Sequence, residues 1–177
     1  MKIVAFGASN STTSINKALA TYAASLVEGA QTEVLDLNDF ELPIFSEDRE
    51  KELGQPELAK AFLGKIKEAD AVVVSFAEHN GSYSAAYKNL FDWVSRIDQR
   101  VFQDKPSVYL STSPGPGGAS SVLQAATGSA PFFGVDLKGS LSIPSFYDNF
   151  DMEAGNLRNE DLKKQLLTVV QKFYVSK

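Results

Sequence analysis

Apolar and polar positions along this chain switch repeatedly between a strand-like and a helical rhythm. The run Ile3-Val4-Ala5-Phe6 predicts a strand over residues 2–7. Behind it, Ile15, Leu19, Tyr22, Ala23 and Leu26 fall on one face at helical spacing, and Gly29 stops that helix. A second strand is expected over 32–37. A longer connection, 38–54, is too polar in its second half to be core. Pro56 opens a helix whose stripe is Leu58, Phe62 and Ile66. The nearly unbroken run Ala71-Val72-Val73-Val74-Ser75-Phe76 predicts a strand covered on both faces. Ala86, Leu90, Trp93, Val94 and Ile97 mark a helix over 84–96, followed by a strand at 107–111. An Ala-rich helix follows around 119–127, then a strand within 133–143 interrupted at Lys138-Gly139. The last helix runs over about 160–174, with Leu162, Leu166, Val169, Val170 and Phe173 buried.

Five strands alternating with five helices predict an α/β chain: one doubly wound, five-stranded parallel sheet with helices on both faces. Five strands suit the flavodoxin-like order 2-1-3-4-5, in which the ligand crevice lies at the carboxyl ends of strands one and three. The 177 residues suit a single domain, 1–177, and no repeat or long linker divides them.

Composition narrows the chemistry. No cysteine is present, which excludes disulfides, thiolate nucleophiles and Cys-bound metals. Redox chemistry would have to sit on a bound cofactor. The single histidine, His79, argues against a His-built metal centre. A net charge of −5 argues against a nucleic-acid surface, and no apolar run approaches a membrane span. A cytoplasmic protein is expected.

Three loops carry the candidate chemistry, all at the predicted crevice edge. The first, Gly7-Ala8-Ser9-Asn10-Ser11-Thr12-Thr13-Ser14-Ile15-Asn16, sets hydroxyls and unpaired amides at a helix N-terminus, where an anion is favoured. The same residues also make a well-capped helix without any ligand. The second is Ala77-Glu78-His79-Asn80-Gly81-Ser82-Tyr83-Ser84 and the third Ser113-Pro114-Gly115-Pro116-Gly117-Gly118. Each by itself reads equally as a strand-to-helix turn. Together they describe a binding edge with a phosphate end and amides for a planar ring. The spacing of a dinucleotide fingerprint and of an ATP-binding loop is missing. A mononucleotide with a redox-active ring, FMN, suits all three.

On these residues the chain resembles the NADPH-dependent FMN reductase family of flavodoxin-like proteins, which includes quinone, azo-dye and chromate reductases. The first loop matches a Gly-Ser-x-Arg-x-x-Ser-x-Asn pattern through Ser9, Ser14 and Asn16. The second matches Pro-Glu-Tyr-Asn-x-Ser through Glu78, Asn80 and Ser82, and continues into Lys88-Asn89-x-x-Asp92-Trp93. The third matches Ser-Pro-Gly-x-x-Gly-Gly through Ser113, Pro114, Gly115, Gly117 and Gly118. Weaker echoes are Leu42-Pro43, Glu47-Asp48, Phe150-Asp151 and Gly155. Ser11 replaces the family's loop arginine, His79 its Tyr and Ala77 its Pro.

The resemblance implies an FMN-dependent NAD(P)H oxidoreductase. Electrons would pass from NADPH or NADH to a quinone, free flavin or similar small-molecule acceptor by ping-pong hydride transfer, with no catalytic side chain required. Ser9, Ser11, Ser14, Ile15 and Asn16 are the expected phosphate-side contacts. Glu78, His79, Asn80, Gly81 and Ser82 would border the ring, with Ser113, Gly115, Gly117 and Gly118 at its other edge. Loss of the arginine leaves a neutral phosphate site and opens the choice between NADPH and NADH. Lys88, Asn89 and Asp92 would fix a loop or a subunit contact, and Trp93 would belong to a core or interface. The family also implies a homodimer or homotetramer. The rival reading is a flavodoxin-like electron carrier reduced by a protein partner.

Overall fold

The computed structural model describes residues 1–174. Its strands are β1 (Lys2–Ala8), β2 (Gln31–Leu35), β3 (Ala71–Phe76), the hairpin strands β4 (Glu78–His79) and β5 (Ser82–Tyr83), β6 (Lys105–Thr112), β7 (Val135–Ile143), and a short pair, β8 (Phe150–Asp151) and β9 (Asn156–Leu157). The helices are α1 (Ile15–Ser25), α2 (Glu47–Leu53), α3 (Glu57–Glu68), α4 (Ala85–Ile97), α5 (Ser120–Ser129), α6 (Phe146–Asn149) and α7 (Glu160–Val170). Five strands pair in parallel in the order β2-β1-β3-β6-β7. With the hairpin set aside, this is the expected 2-1-3-4-5.

The sheet's alternation explains its place. Val4, Phe6 and Ala8 of β1 enter one core, and Ile3 and Ala5 enter the other. In β3, Val72, Val74 and Phe76 face the first core and Ala71 and Val73 the second. The first core is closed by α3, α4 and α5 through Phe62, Leu90, Trp93 and Val122. The second is closed by α1 and α7 through Leu19, Ala23, Leu166 and Val170. Each large apolar side chain buried this way contributes about 1.5–3 kcal/mol, so strands apolar on both faces settle in the middle of the sandwich.

One expectation is overturned and two gain detail. Leu58 is 41% exposed, and α3 instead buries Ala59, Phe62, Leu63 and Ile66. A strict spacing of four drifts about 40° around a helix at each step, whereas 59, 62, 63 and 66 stay on one face. The polar half of the 38–54 connection forms α2, which buries none of its residues. Ser46 caps its first turn and Gly54 (φ 67°) ends it. The interruption at Lys138-Gly139 is a one-residue bulge: Ser107 pairs with Leu137 and Val108 with Gly139, so Lys138 is skipped.

Candidate functional site

The first loop is shaped by a contact that admits no side chain. A Cβ on Gly7 would lie 2.4 Å from the backbone N of Lys17 and 2.8 Å from its Cα, so glycine lets the end of β1 touch the first turn of α1. The chain then turns, with the Ser9 amide donating to the Gly7 carbonyl at 2.8 Å. Ser9 Oγ accepts from the Ser11 amide, and Ser14 Oγ caps α1 by accepting from the Lys17 amide, both at 3.1 Å. Each hydroxyl spends a lone pair and keeps its proton for another partner. The amides of Thr12, Thr13, Ile15 and Asn16 have no acceptor among the described residues. This stretch is rich in donors, which suits an anion.

Asn16 sews that loop to the sheet. Its side chain is buried, accepts from Ser75 Oγ (2.7 Å) and the Thr112 amide (3.2 Å), and donates to the Thr112 carbonyl (3.2 Å). The ends of β1, β3 and β6 thereby meet at one point. Ser84, the cap of α4, adds a bond to the Ala8 carbonyl at 2.8 Å.

The second loop is a two-residue hairpin. Asn80 (φ 53°) and Gly81 (φ 76°) make its turn, and His79 pairs with Ser82. Glu78 reaches across to α5, where its carboxylate accepts from the Val122 amide at 2.9 Å. α5 starts at Ala119 in a left-handed conformation with no side-chain cap of its own, so Glu78 supplies one from a distance. In the third loop, Ser111 and Ser142 both donate to the Gly118 carbonyl. A Cβ at Gly118 would sit 2.3 Å from Ser142 Oγ. The Gly115 carbonyl accepts from Ser113 Oγ and from the Ser145 amide, and the Ser113 carbonyl from the Phe146 amide. Those bonds bring Tyr147, 59% exposed, to the same place.

The result is an open crevice of about 240 Å³ at the carboxyl ends of β1, β3 and β6. Ser9, Ser11, Ser14, Ile15, Asn16, Glu78, His79 and Ser113 all line it. Asn80, Gly81, Ser82, Gly115, Gly117 and Gly118 do not; they form the turns that set the path of the lining residues. Thr13, Thr112 and Tyr147 line it without having been singled out. Thr13 lay inside the hydroxyl loop, whereas Tyr147 arrives only through the bonds just described.

Charge at the crevice is sparse. Neither lysine nor arginine lines it, and Lys17, next to Asn16, is held by Asp36 at 2.5 Å. That ammonium, with the Asn38 amide, keeps the Asp36 carboxyl below its usual range. The donor set fits a phosphate ester bound by hydroxyls and amides without a cation.

The Lys-Asn-x-x-Asp-Trp segment lies away from this crevice. Asn89 accepts from the Phe45 amide and donates to the Leu42 and Pro43 carbonyls; the buried Trp93 also donates to Pro43. Lys88 pairs with Asp92 at 2.7 Å on the exposed side. The motif clamps the 42–45 stretch to α4.

Residues 1–147 match the family model described as NADPH-dependent FMN reductase. The chain is 31% identical over 163 residues to 2-hydroxy-1,4-benzoquinone reductase of a Burkholderia species, covering 90% of this chain and 87% of that protein. It is 34% identical over 182 aligned positions to an NADPH:quinone oxidoreductase of Arabidopsis thaliana, covering 96% and 88%. Among solved structures, the flavoenzyme NAD(P)H:(acceptor) oxidoreductase FerB from Paracoccus denitrificans is similar with a TM-score of 0.74 and 27% identity, over 97% of this chain and 94% of that one.

Proposed function

The chain belongs to the NADPH-dependent FMN reductase family, an enzyme family, and on that footing we propose that it passes electrons from NAD(P)H to quinones or free flavin by a ping-pong mechanism. One observation carries the reading: the loops after β1, β3 and β6 meet in a crevice with hydroxyl and amide donors at a helix N-terminus. When bound there, FMN supplies the hydride acceptor and donor that the side chains lack.

In this reading, Ser9, Ser11 and Ser14, with the free amides through Asn16, hold the phosphate. Glu78 and His79 border the ring, on a path set by the Asn80–Ser82 turn. Ser113 and the chain shaped by Gly115, Gly117 and Gly118 form the other edge, and exposed Tyr147 offers an aromatic face. With Ser11 in place of an arginine, phosphate charge contributes little to choosing between NADPH and NADH. The whole chain acts as one domain and assembles as a homodimer or homotetramer. No helix among the described residues is long and apolar enough to cross a membrane.

The test is a half-reaction measurement on the purified protein. NADH or NADPH alone, without oxygen, bleaches the bound flavin, and a quinone restores its colour. Bound flavin that neither donor bleaches would favour an electron carrier reduced by a protein partner. A chain with no affinity for FMN would overturn both readings.

A further inference from the structure

The donor-rich loop has a second side. An open groove of about 360 Å³ runs from it between α1 and the β8–β9 hairpin. Groove and crevice share Thr13 and Ser14, while Thr12 lines the groove and not the crevice. From Ser14 the groove follows one stripe of α1 through Lys17, Ala18, Thr21, Tyr22 and Ser25, at spacings of three and four. At 1.5 Å per residue that stripe is about 16 Å long. Phe150, Met152 and Gly155 form the facing wall. Hydrogen bonds fix the turn behind it: Asp151 Oδ1 accepts from the Glu153 and Ala154 amides at 3.0 Å, and the Asp151 carbonyl from the Gly155 amide at 2.7 Å.

The fold leaves several groups along this groove unused. At its upper end the amides of Thr12 and Thr13 have no acceptor among the described residues. Further down, Tyr22 is 7% exposed and meets Phe150 edge-on at 5.9 Å. Its hydroxyl is buried without a hydrogen-bond partner among the described residues. Across from it Met152 is 49% exposed. Lys17 brings no free charge, because its ammonium is paired with Asp36 at 2.5 Å. Unmatched donors therefore stand at one end, and an apolar stretch with one unmatched phenol lies beyond them.

We propose that this groove holds the adenylyl half of a flavin dinucleotide, so that the chain accepts FAD as well as FMN and binds FAD more tightly. The inference rests on the flavin reading of the crevice and extends it across the loop. The flavin-side phosphate takes the crevice donors, and the second phosphate meets the amides and hydroxyls of Thr12 and Thr13. The adenosine lies along the α1 stripe. Its base packs on Met152, and a ring nitrogen offers the Tyr22 hydroxyl an acceptor. Charge favours the same ligand. A terminal phosphate monoester carries about −1.5 to −2 at neutrality, whereas each phosphate of a dinucleotide carries a single charge. Neither set of lining residues holds an unpaired lysine or arginine, so spreading the charge over more donors suits this loop. An apolar side chain or lipid tail would cover Met152 and leave the amides and the phenol unmatched. The shared residues Thr13 and Ser14 favour an occupant covalently continuous with the phosphate in the crevice.

The test titrates the full chain, stripped of flavin, with FMN and with FAD by calorimetry. One equivalent of each is expected to bind, FAD about tenfold more tightly. Thr21→Trp, at an exposed position in the groove and outside the crevice, is expected to remove the advantage of FAD and leave FMN affinity unchanged. Ser25→Trp, one turn further along the groove and also exposed, is expected to act alike. Tyr22→Phe keeps FMN affinity and weakens FAD about 2–10-fold. FAD that binds no more tightly than FMN, or an advantage that survives both tryptophan variants, overturns the proposal. So does a raised KM for NADPH in FMN-loaded Thr21→Trp, because the groove then serves the electron donor. A chain that binds neither flavin overturns the flavin reading itself, whereas tight FMN without the FAD advantage overturns only the groove.

Discussion

A single methyl group at Gly7 would meet the backbone of Lys17 at 2.4 Å, closer than any ordinary contact. The first turn of α1 would have to move, and Ser14 through Asn16 would move with it. Gly7→Ala is expected to cost about 1–3 kcal/mol, as overpacking does, and to lower FMN retention. Urea denaturation and flavin content measure the two losses, and a wild-type midpoint with full flavin would contradict the packing argument. The same residue shows how far a sequence can be read at this scale. A glycine in a loop signals either a close approach or a left-handed turn. At Gly7 the neighbour is a helix, and at Gly118 it is the Ser142 hydroxyl; composition cannot name the neighbour. Asn16 is similar. Its position at the crevice was legible from the loop pattern, but its bonds to Ser75 and Thr112 depend on strands far along the chain.

At the scale of elements, α4 has two working faces. One is buried in the core, and through Asn89 and Trp93 the helix holds the 42–45 stretch. Asn89→Ala leaves the Phe45 amide and the Leu42 carbonyl without that partner. It is expected to destabilise the chain by about 1–3 kcal/mol and to speed proteolysis within 42–53, with the α2 segment released first. Unchanged cleavage there would mean that the Arg96–Glu50 pair, at 2.9 Å, holds the segment by itself. The major helices and strands were legible because each carries an apolar period. α2 was not, having no buried face, although a Ser46 cap, acidic residues in its first turn and Gly54 mark both ends. The hairpin was not anticipated either, although Asn80-Gly81 is a strong two-residue turn signal. Nor was Glu78 as the remote cap of α5, because nothing local links residues 78 and 122.

The whole molecule is acidic, with a net charge of −5, yet several of its carboxylates are tied down. Lys65 and Lys2 lower the pKa of Glu33, Lys17 that of Asp36, Gln103 and the Arg100 amide that of Asp98, and the Ala154 amide that of Asp151. A carboxyl with a lowered folded pKa stabilises above its unfolded pKa, and that stability is lost as pH falls through the folded value. Urea midpoints are therefore expected to hold from neutrality to about pH 5 and to drop below about pH 4. A midpoint that rises on acidification would contradict these pairings. Lys2 is shifted upward by Glu33 and Glu68, so its contribution is lost only in strong alkali. The sheet and its order could be anticipated from doubly apolar strands and crossover geometry. The groove beside α1 could not, because it depends on where the β8–β9 hairpin settles against that helix.

Asn16 and Thr112 are 96 residues apart in the chain, and their bond has a consequence for assembly. Closing so long a loop costs entropy before the contact returns anything. The anion site therefore cannot mature while only the amino-terminal half has folded. It takes its final form when β6 docks beside β3 and offers Thr112 to Asn16. A phosphate-bearing ligand that needs this arrangement binds the completed sheet in preference to any partly built one, and so drains the population of unfinished chains by mass action. The crevice is in this sense a checkpoint on its own folding.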